Sequence, residues 1–113
     1  MPVRIGFAEY RSQLLRQELE RVLEELPGLG ALKVILLGDV LTGDVKPSSI
    51  LELIIVQETE DAYLDRIDFF LSHLRPTVGI DISVYTPDEF ANIEGQNLFV
   101  SKALKDEGLL YEV

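Results

Sequence analysis

Residues 36–57, LLGDVLTGDVKPSSILELIIVQ, decide the fold of this chain. Two short apolar runs, Ala31–Leu37 and residues 50–56, are joined here by a connection that contains glycine and proline. Each run is rich in Val, Ile and Leu, so each is predicted to be a strand that is buried on both faces. Glu52 interrupts the second run, and an ionised carboxylate in a buried strand costs several kcal/mol unless something pairs with it. Glu52 is therefore the first candidate for a functional residue.

Helical periodicity flanks the two strands. Residues 8–26 carry apolar side chains at helical spacing and end at Pro27-Gly28, which predicts a first helix. An acidic segment at residues 58–61 is predicted to start a second helix, because carboxylates are favoured at a helix N-terminus. The apolar stripe of that helix comprises Tyr63, Leu64, Ile67, Phe70, Leu71 and Leu74. His73, the one histidine, lies near its end, where helix capping or simple exposure is favoured over a catalytic role.

The last third of the chain predicts a third strand, two helices and an edge strand. In residues 78–85 the side chains alternate, which places Ile80, Ile82 and Val84 on one face and Asp81, Ser83 and Tyr85 on the other. Thr86 and Glu89 form a capping box around Pro87, so a helix starts there. A polar break at residues 92–97 precedes a helix at 98–107 with Phe99, Val100, Ala103 and Leu104 inward. Residues 109–113 are predicted to form a short strand on a sheet edge.

This order of elements, α-β-β-α-β-α-α-β, predicts a single domain over residues 1–113. The fold class is α/β (α+β), with a central sheet flanked by helices. The connection between the first two strands is long for a hairpin and is predicted to contain no helix. These strands are therefore expected to be antiparallel, which makes the sheet mixed.

Composition and charge exclude several classes of partner. The net charge of −10, from 10 basic and 20 acidic residues, disfavours nucleic acid, which requires clustered Lys and Arg. No apolar run approaches the ~20 residues of a membrane span, so no membrane partner is predicted. The absence of cysteine excludes disulfides and thiolate metal sites. The first residues lack a secretory signal pattern, and a cytoplasmic location is expected.

The quoted stretch resembles the minimal nucleotidyltransferases, the smallest members of the DNA polymerase β-like superfamily. Their signature is a strand ending in Gly-Ser, a glycine-containing loop, a strand with Asp-x-Asp, and a third carboxylate on a later strand. Gly38 and Gly43 match the two glycines, while Glu52 and Asp81 match the second and third carboxylates. The chain departs from the signature where Asp39 replaces serine, Ile50 replaces the first metal-binding Asp, and Thr42 replaces an arginine.

The resemblance implies a fold and a set of site residues. The fold would be that of the polymerase β-like nucleotidyltransferases, and Glu52 and Asp81 would be the catalytic and metal-binding carboxylates. This match and the alternation around each residue predict that the two side chains lie on the same face of adjacent strands, close enough to share one cation. The resemblance implies a nucleotide-binding loop, whose residues are Gly38, Asp39, Gly43, Lys46 and Ser49. Mg²⁺ would be the cofactor, since two carboxylates suffice for one magnesium ion but not for the two that nucleotidyl transfer uses.

Two functions remain open. The favoured one is a degenerate domain with weak or lost catalysis, which acts as a binding or partner module. The resemblance implies as its partner a small helical protein of the HEPN type, in an antitoxin-like role within a two-gene toxin–antitoxin system. The alternative is an active metal-dependent enzyme that transfers a nucleotide to a protein or small molecule. A homo-oligomer is compatible with either function.

Structural roles for the same residues are open as well. Glu52 could reach the solvent at a strand end or pair with Lys46 or Lys33, and Asp81 could cap a nearby loop. Asp39 and Asp44 could be turn residues that bond their own backbone. A rearranged site of three carboxylates, Asp39, Glu52 and Asp81, is a further arrangement that would keep the chemistry.

Overall fold

The computed structural model describes residues 6–113, which form four strands and five α-helices. In chain order these are α1 (Phe7–Glu25), β1 (Ala31–Leu37), α2 (Gly38–Thr42), β2 (Leu51–Gln57), α3 (Tyr63–Leu74), β3 (Ile80–Tyr85), α4 (Pro87–Glu94), α5 (Leu98–Lys105) and β4 (Leu109–Glu112). A single 3-10 turn, Pro27–Leu29, separates α1 from β1. Within the described part of the chain, no helix is both long and apolar enough to cross a membrane.

The four strands form one mixed sheet in the order β3-β2-β1-β4. β1 pairs antiparallel with both β2 and β4, whereas β2 and β3 run parallel. The predicted α+β class is confirmed, as are the antiparallel pairing of the first two strands and the edge position of the last. The parallel pair is connected through α3, which supplies the crossover that parallel strands need.

Helices cover both faces of the sheet. On one face, α1 and α3 contribute Leu15, Leu19, Val22, Leu26, Phe70 and Leu74, which pack on the sheet residues Val34, Leu36, Leu53, Ile55, Ile82 and Val84. On the other face, α4 and α5 contribute Phe90, Val100 and Ala103, which pack on Ile35, Ile54 and Val56. Burying each large side chain of this kind stabilises the fold by roughly 1.5–3 kcal/mol. The sheet therefore lies between two helical layers.

The connection between β1 and β2 contains a helix, so the prediction that it has none was wrong. α2 is one turn of five residues that follows β1 directly. Gly38 at its start and Gly43 at its end both have positive φ angles, of 77° and 84°. Glycine adopts this conformation readily and other residues do not. A single turn bounded by two glycines has the sequence of a loop, which explains the error.

Three boundary predictions also need correction. The acidic segment 58–61 precedes α3 and is not its first turn, since the helix begins at Tyr63. Residues 92–94 belong to α4 and are not part of the polar break. β2 begins at Leu51, so Ile50 lies just before the strand and is 37% exposed.

Three side chains are exposed although the helical stripes predicted them to face inward. Tyr63 is 40% exposed, Leu64 is 77% exposed and Phe99 is 80% exposed. Arg66 is instead buried. Its guanidinium donates to the carbonyls of Asp61 and Val84 and forms a 2.6 Å ion pair with Glu89. These bonds compensate for the burial of the charge.

A second ion pair, of which one partner is buried, connects α1 to the segment before β3. Glu18 is 5% exposed, and Arg21 Nε lies 2.6 Å from its Oε1. The same carboxylate accepts a hydrogen bond from the backbone N–H of Thr77, and Arg21 also donates to the Leu74 carbonyl at 2.8 Å. The bond from Arg21, helped by Thr77 and opposed by burial, lowers the pKa of Glu18 to about 2.

His73 is exposed near the end of α3, as favoured from the sequence. Its Nδ1 lies 2.7 Å from the Phe69 carbonyl one turn earlier. This contact lies within α3 itself and agrees with a local structural role for the histidine.

Candidate functional site

Glu52 and Asp81 lie side by side on the parallel strands β2 and β3. The register pairs Glu52 with Asp81, Ile54 with Ser83 and Val56 with Tyr85. Paired residues of neighbouring strands project from the same face of a sheet. The prediction that the two carboxylates share a face of adjacent strands is confirmed. Their role as metal ligands stays a prediction.

Gly38 is in direct contact with the Glu52 carboxylate. A Cβ atom at position 38 would overlap Glu52 Oε2 and lie 2.7 Å from Glu52 Cδ. Residue 38 also has a φ of 77°, which side chains rarely adopt. A side chain at position 38 would therefore strain the backbone and would have to displace the Glu52 carboxylate, which packs on the backbone where β1 becomes α2.

A pocket of about 570 Å³ opens beside this junction. Its volume is in the range of sites that bind small molecules. The sheet provides its floor, and α2 and α5 provide its walls. The apolar side chains that line it are Leu37, Leu41, Ile54, Ile93, Phe99, Val100 and Ala103. The polar side chains are Asp39, Thr42, Glu52, Ser83, Tyr85, Asn97, Lys102 and Asp106.

The polar groups of the α2–β2 loop are bonded to one another. Ser49 is buried, and its hydroxyl donates to Asp39 Oδ2 at 2.7 Å and accepts from the Lys46 N–H at 2.8 Å. Lys46 Nζ lies 3.1 Å from Asp44 Oδ2 and 3.9 Å from Asp39 Oδ1. The hydrogen bond that Lys46 donates to Asp44, followed by the charge of Asp39, raises the pKa of Lys46. These contacts favour the reading of Asp39 and Asp44 as residues that hold the loop together.

The structure brings some of the predicted site residues together and leaves others apart. Gly38, Asp39 and Glu52 all line the pocket. Asp81 is exposed beside Glu52 at the edge strand, outside the pocket lining. The other three predicted residues are Gly43, Lys46 and Ser49. They lie in the loop that follows α2 in the chain and do not line the pocket either.

Neither expected lysine pairs with Glu52. Lys33 Nζ lies 3.1 Å from Glu112 Oε2, and Lys46 contacts Asp44 and Asp39. Over residues 6–113, no ion pair or side-chain hydrogen bond engages the Glu52 carboxylate. Glu52 is thus a partly buried carboxylate in the pocket floor, with no ion-pair or side-chain hydrogen-bond partner among those residues.

The donor set suits at most a small metal site. In the part of the chain that the structure describes, no group of three or more His, Cys, Asp or Glu side chains could hold a metal ion. The rearranged site of Asp39, Glu52 and Asp81 is therefore not assembled. Glu52 and Asp81 remain as a pair of oxygen ligands, which fits one Mg²⁺ that keeps several waters and does not fit two.

Several pocket residues were missed from the sequence. The alternation of residues 80–85 already placed Ser83 and Tyr85 on the face of Asp81 and could have identified them. Burial, and then the nearby Tyr63, whose ring centroid is 6.1 Å away, raises the pKa of Tyr85. The wall formed by α5, with Phe99, Lys102 and Asp106, depends on how that helix docks on the sheet and has no local signal.

Comparison with protein-family models, with curated proteins and with solved structures finds no match to the chain. The resemblance to the minimal nucleotidyltransferases therefore remains a prediction. It rests on the glycines and carboxylates of the sequence.

Proposed function

We propose that the chain is a degenerate nucleotidyltransferase-like domain that binds a nucleotide weakly and does not transfer it. One observation supports this proposal above the others: Glu52 and Asp81 are in register on parallel strands, and Glu52 packs on Gly38 beside a pocket. In the resembled family the corresponding residues hold the metal ions and seat the phosphates. A cytoplasmic location, where nucleotides are available, belongs to the same proposal.

The ligand count argues against catalysis. Nucleotidyl transfer by two metal ions uses three carboxylates, which activate the attacking group and neutralise the triphosphate. Ile50 stands at the position of the missing ligand, just before β2. The Asp39 carboxylate adds a negative charge to the pocket wall, which opposes a triphosphate unless Mg²⁺ lies between them.

Two neighbouring apolar side chains at the start of α5 support the partner-module part of the proposal. Leu98 is 83% exposed and Phe99 is 80% exposed. Single exposed apolar residues are normal on a protein surface, whereas adjacent ones offer a partner a shared apolar contact. A HEPN-type helical protein is the partner that the family resemblance suggests, with this chain in the antitoxin-like role.

The test combines transfer with binding. The purified protein is incubated with Mg²⁺ or Mn²⁺ and labelled ATP, GTP, CTP or UTP, with and without a HEPN-type protein as acceptor. We expect no label on either protein, and weak Mg²⁺–nucleotide binding in equilibrium dialysis that Glu52→Gln abolishes. The matched control is Asp68→Asn, an exposed carboxylate on α3 in the opposite layer, which should bind as the parent does.

Two results would overturn the proposal in different ways. Metal-dependent labelling that disappears in Glu52→Gln would favour the alternative, an active enzyme that transfers a nucleotide to a protein or small molecule. Equal binding by the parent and Glu52→Gln, or none by either, would mean that the pocket is not a nucleotide site.

A further inference from the structure

We propose that the pocket between the sheet and α5 binds an organic amine, a small molecule with a protonated ammonium group on an apolar or aromatic body. The proposal uses the same pocket as the proposed function. It does not require nucleotide binding, so the two can fail separately.

The charges around the pocket favour a cation. Three carboxylates line it, Asp39, Glu52 and Asp106, against one ammonium group, that of Lys102. Lys102 Nζ lies 3.9 Å from Asp106 Oδ2, so this cation already faces one of the carboxylates.

The three carboxylates are not equivalent. Asp39 accepts a hydrogen bond from Ser49 and faces Lys46, while Asp106 faces Lys102. Glu52 is the one without an ion pair or hydrogen bond among residues 6–113. Attraction between opposite charges strengthens as water is excluded, so a ligand ammonium is best placed at this partly buried carboxylate.

The rest of the lining suits an apolar body. Leu37, Ile54 and Val100 form an aliphatic surface next to Glu52. Two rings, Tyr85 and Phe99, add aromatic surface, and Phe99 is 80% exposed. A ligand that covers Phe99 would remove apolar surface from water, and a cation near an aromatic ring gains further attraction.

An anion of the same shape would be repelled by the carboxylates of this pocket. Without a metal it would lie near Glu52 and Asp39, and the whole chain carries a net charge of −10. Ligands that differ only in the sign of one terminal charge should therefore be separated sharply by this pocket.

Tryptamine and indole-3-propionate provide that comparison. Both have an indole ring and a two-carbon chain, and they end in an ammonium and a carboxylate respectively. The chain has no tryptophan, so indole fluorescence reports the ligand alone. In EDTA, without metal or nucleotide, we expect the fluorescence anisotropy of tryptamine to rise as protein is added. The anisotropy of indole-3-propionate should stay at its free value.

Variants locate the ammonium and the ring. Glu52→Gln should weaken tryptamine binding by about ten-fold, since it removes the charge and keeps the size. Phe99→Ala should weaken it less, and Asp68→Asn should leave it unchanged. Thermal unfolding confirms that each variant is folded.

Three outcomes would overturn the amine proposal. They are no tryptamine binding, equal binding of the two indoles, and the same affinity in the parent and in Glu52→Gln. If the protein binds tryptamine but no Mg²⁺–nucleotide, the amine proposal stands and the proposed nucleotide function is wrong. If it binds Mg²⁺–nucleotide but no tryptamine, only the proposed nucleotide function stands.

Discussion

Gly38 and Glu52 restrict each other at the point where β1 turns into α2. The glycine leaves space for the carboxylate, and the carboxylate fills the space that any side chain at position 38 would need. Gly43, at the other end of α2, offers an informative contrast. Its φ is 84°, close to that of Gly38, but a Cβ added there would meet nothing within 4 Å.

Gly38→Ala should therefore destabilise the protein more than Gly43→Ala. Both variants carry the strain of a left-handed residue, about 1–2 kcal/mol, and only the first also collides with Glu52. Adding Glu52→Ala to Gly38→Ala should recover part of the loss, with a coupling energy of about 1 kcal/mol or more. Urea denaturation of the parent, Gly38→Ala, Glu52→Ala and the double variant measures this coupling energy. Strictly additive losses would contradict the contact.

Glu18 makes stability depend on pH in the acid range. Its pKa is about 2 in the folded protein against an ordinary value of 4.5. A lowered pKa gives stability that is complete above pH 4.5 and is lost as the pH falls towards 2. The difference corresponds to roughly 3 kcal/mol at neutral pH.

Glu18→Gln should thus cost about 2–3 kcal/mol at pH 7, because it removes the ion pair with Arg21. The gap between parent and variant should shrink as the pH falls from 4.5 towards 2, because the unfolded parent then takes up a proton at Glu18 that the folded parent does not bind. Urea denaturation at several pH values measures the gap, with the exposed Glu24→Gln as control. A gap that stays constant down to pH 2 would mean that the charge of Glu18 contributes nothing.

At the scale of the elements, Arg66 joins three of them. From α3 it reaches back to the Asp61 carbonyl, across to Val84 of the edge strand β3, and on to Glu89 in the first turn of α4. Glu89 in turn completes the capping box with Thr86. The start of α4 is therefore fixed both by its own cap and by a side chain from the opposite helical layer.

Arg66→Met should destabilise the protein by about 2–3 kcal/mol, because it leaves Glu89 and two carbonyls without their charged donor. Hydrogen exchange should also speed up in the first turn of α4, where Glu89 loses its anchor. The exposed Arg16→Met on α1 is the matched control and should change neither quantity. A global loss of stability without faster exchange in α4 would show that Arg66 acts by burial alone.

At the scale of the whole molecule, the nucleotide proposal predicts that binding can be restored. Ile50→Asp adds the missing ligand near Glu52, and Asp39→Ser removes a charge from the pocket and supplies a hydroxyl. The double variant should be less stable alone, since neighbouring carboxylates repel. Mg²⁺–ATP should then stabilise it by about 1 kcal/mol or more over its effect on the parent, by mass action.

Thermal midpoints with and without Mg²⁺–ATP provide the measurement. Asp39→Ser alone is the control, because it breaks the bond with Ser49 but adds no ligand. If parent, control and double variant respond equally while all are folded, positions 39 and 50 do not face a nucleotide.

The sequence was sufficient for the sheet because its strands are short and apolar. β1 and β2 are dense in Val, Ile and Leu, and the alternation from Ile80 to Val84 gives the faces of β3. From these patterns followed the strands, and with the match to the resembled family also the shared face of Glu52 and Asp81. Local patterns determine the strands, so a single sequence was enough for them. The antiparallel pairing of β1 and β2 is right although it was expected from a connection without a helix, which α2 contradicts.

Features that depend on tertiary contacts could not be predicted from the sequence. Leu64 is exposed and Arg66 is buried, because the Arg66 guanidinium bonds to residues of β3 and α4. The spacing of apolar residues along a helix does not predict such bonds. The α5 wall of the pocket depends on how that helix docks, so Lys102 and Asp106 could not be foreseen. Whether Lys33 pairs with Glu52 or Glu112 depends on the β1–β4 pairing, which brings Glu112 opposite Lys33.

The β1–β4 pairing also has a consequence for synthesis on the ribosome. β1 is the first of the described strands to be made, whereas its partner β4 comes after all the other described elements. While the intervening residues are being translated, β1 can pair with β2 but keeps its other edge open. An open edge on so apolar a strand is a template for aggregation. The nascent chain therefore exposes an unpaired apolar edge until Leu109–Glu112 has emerged and covered it.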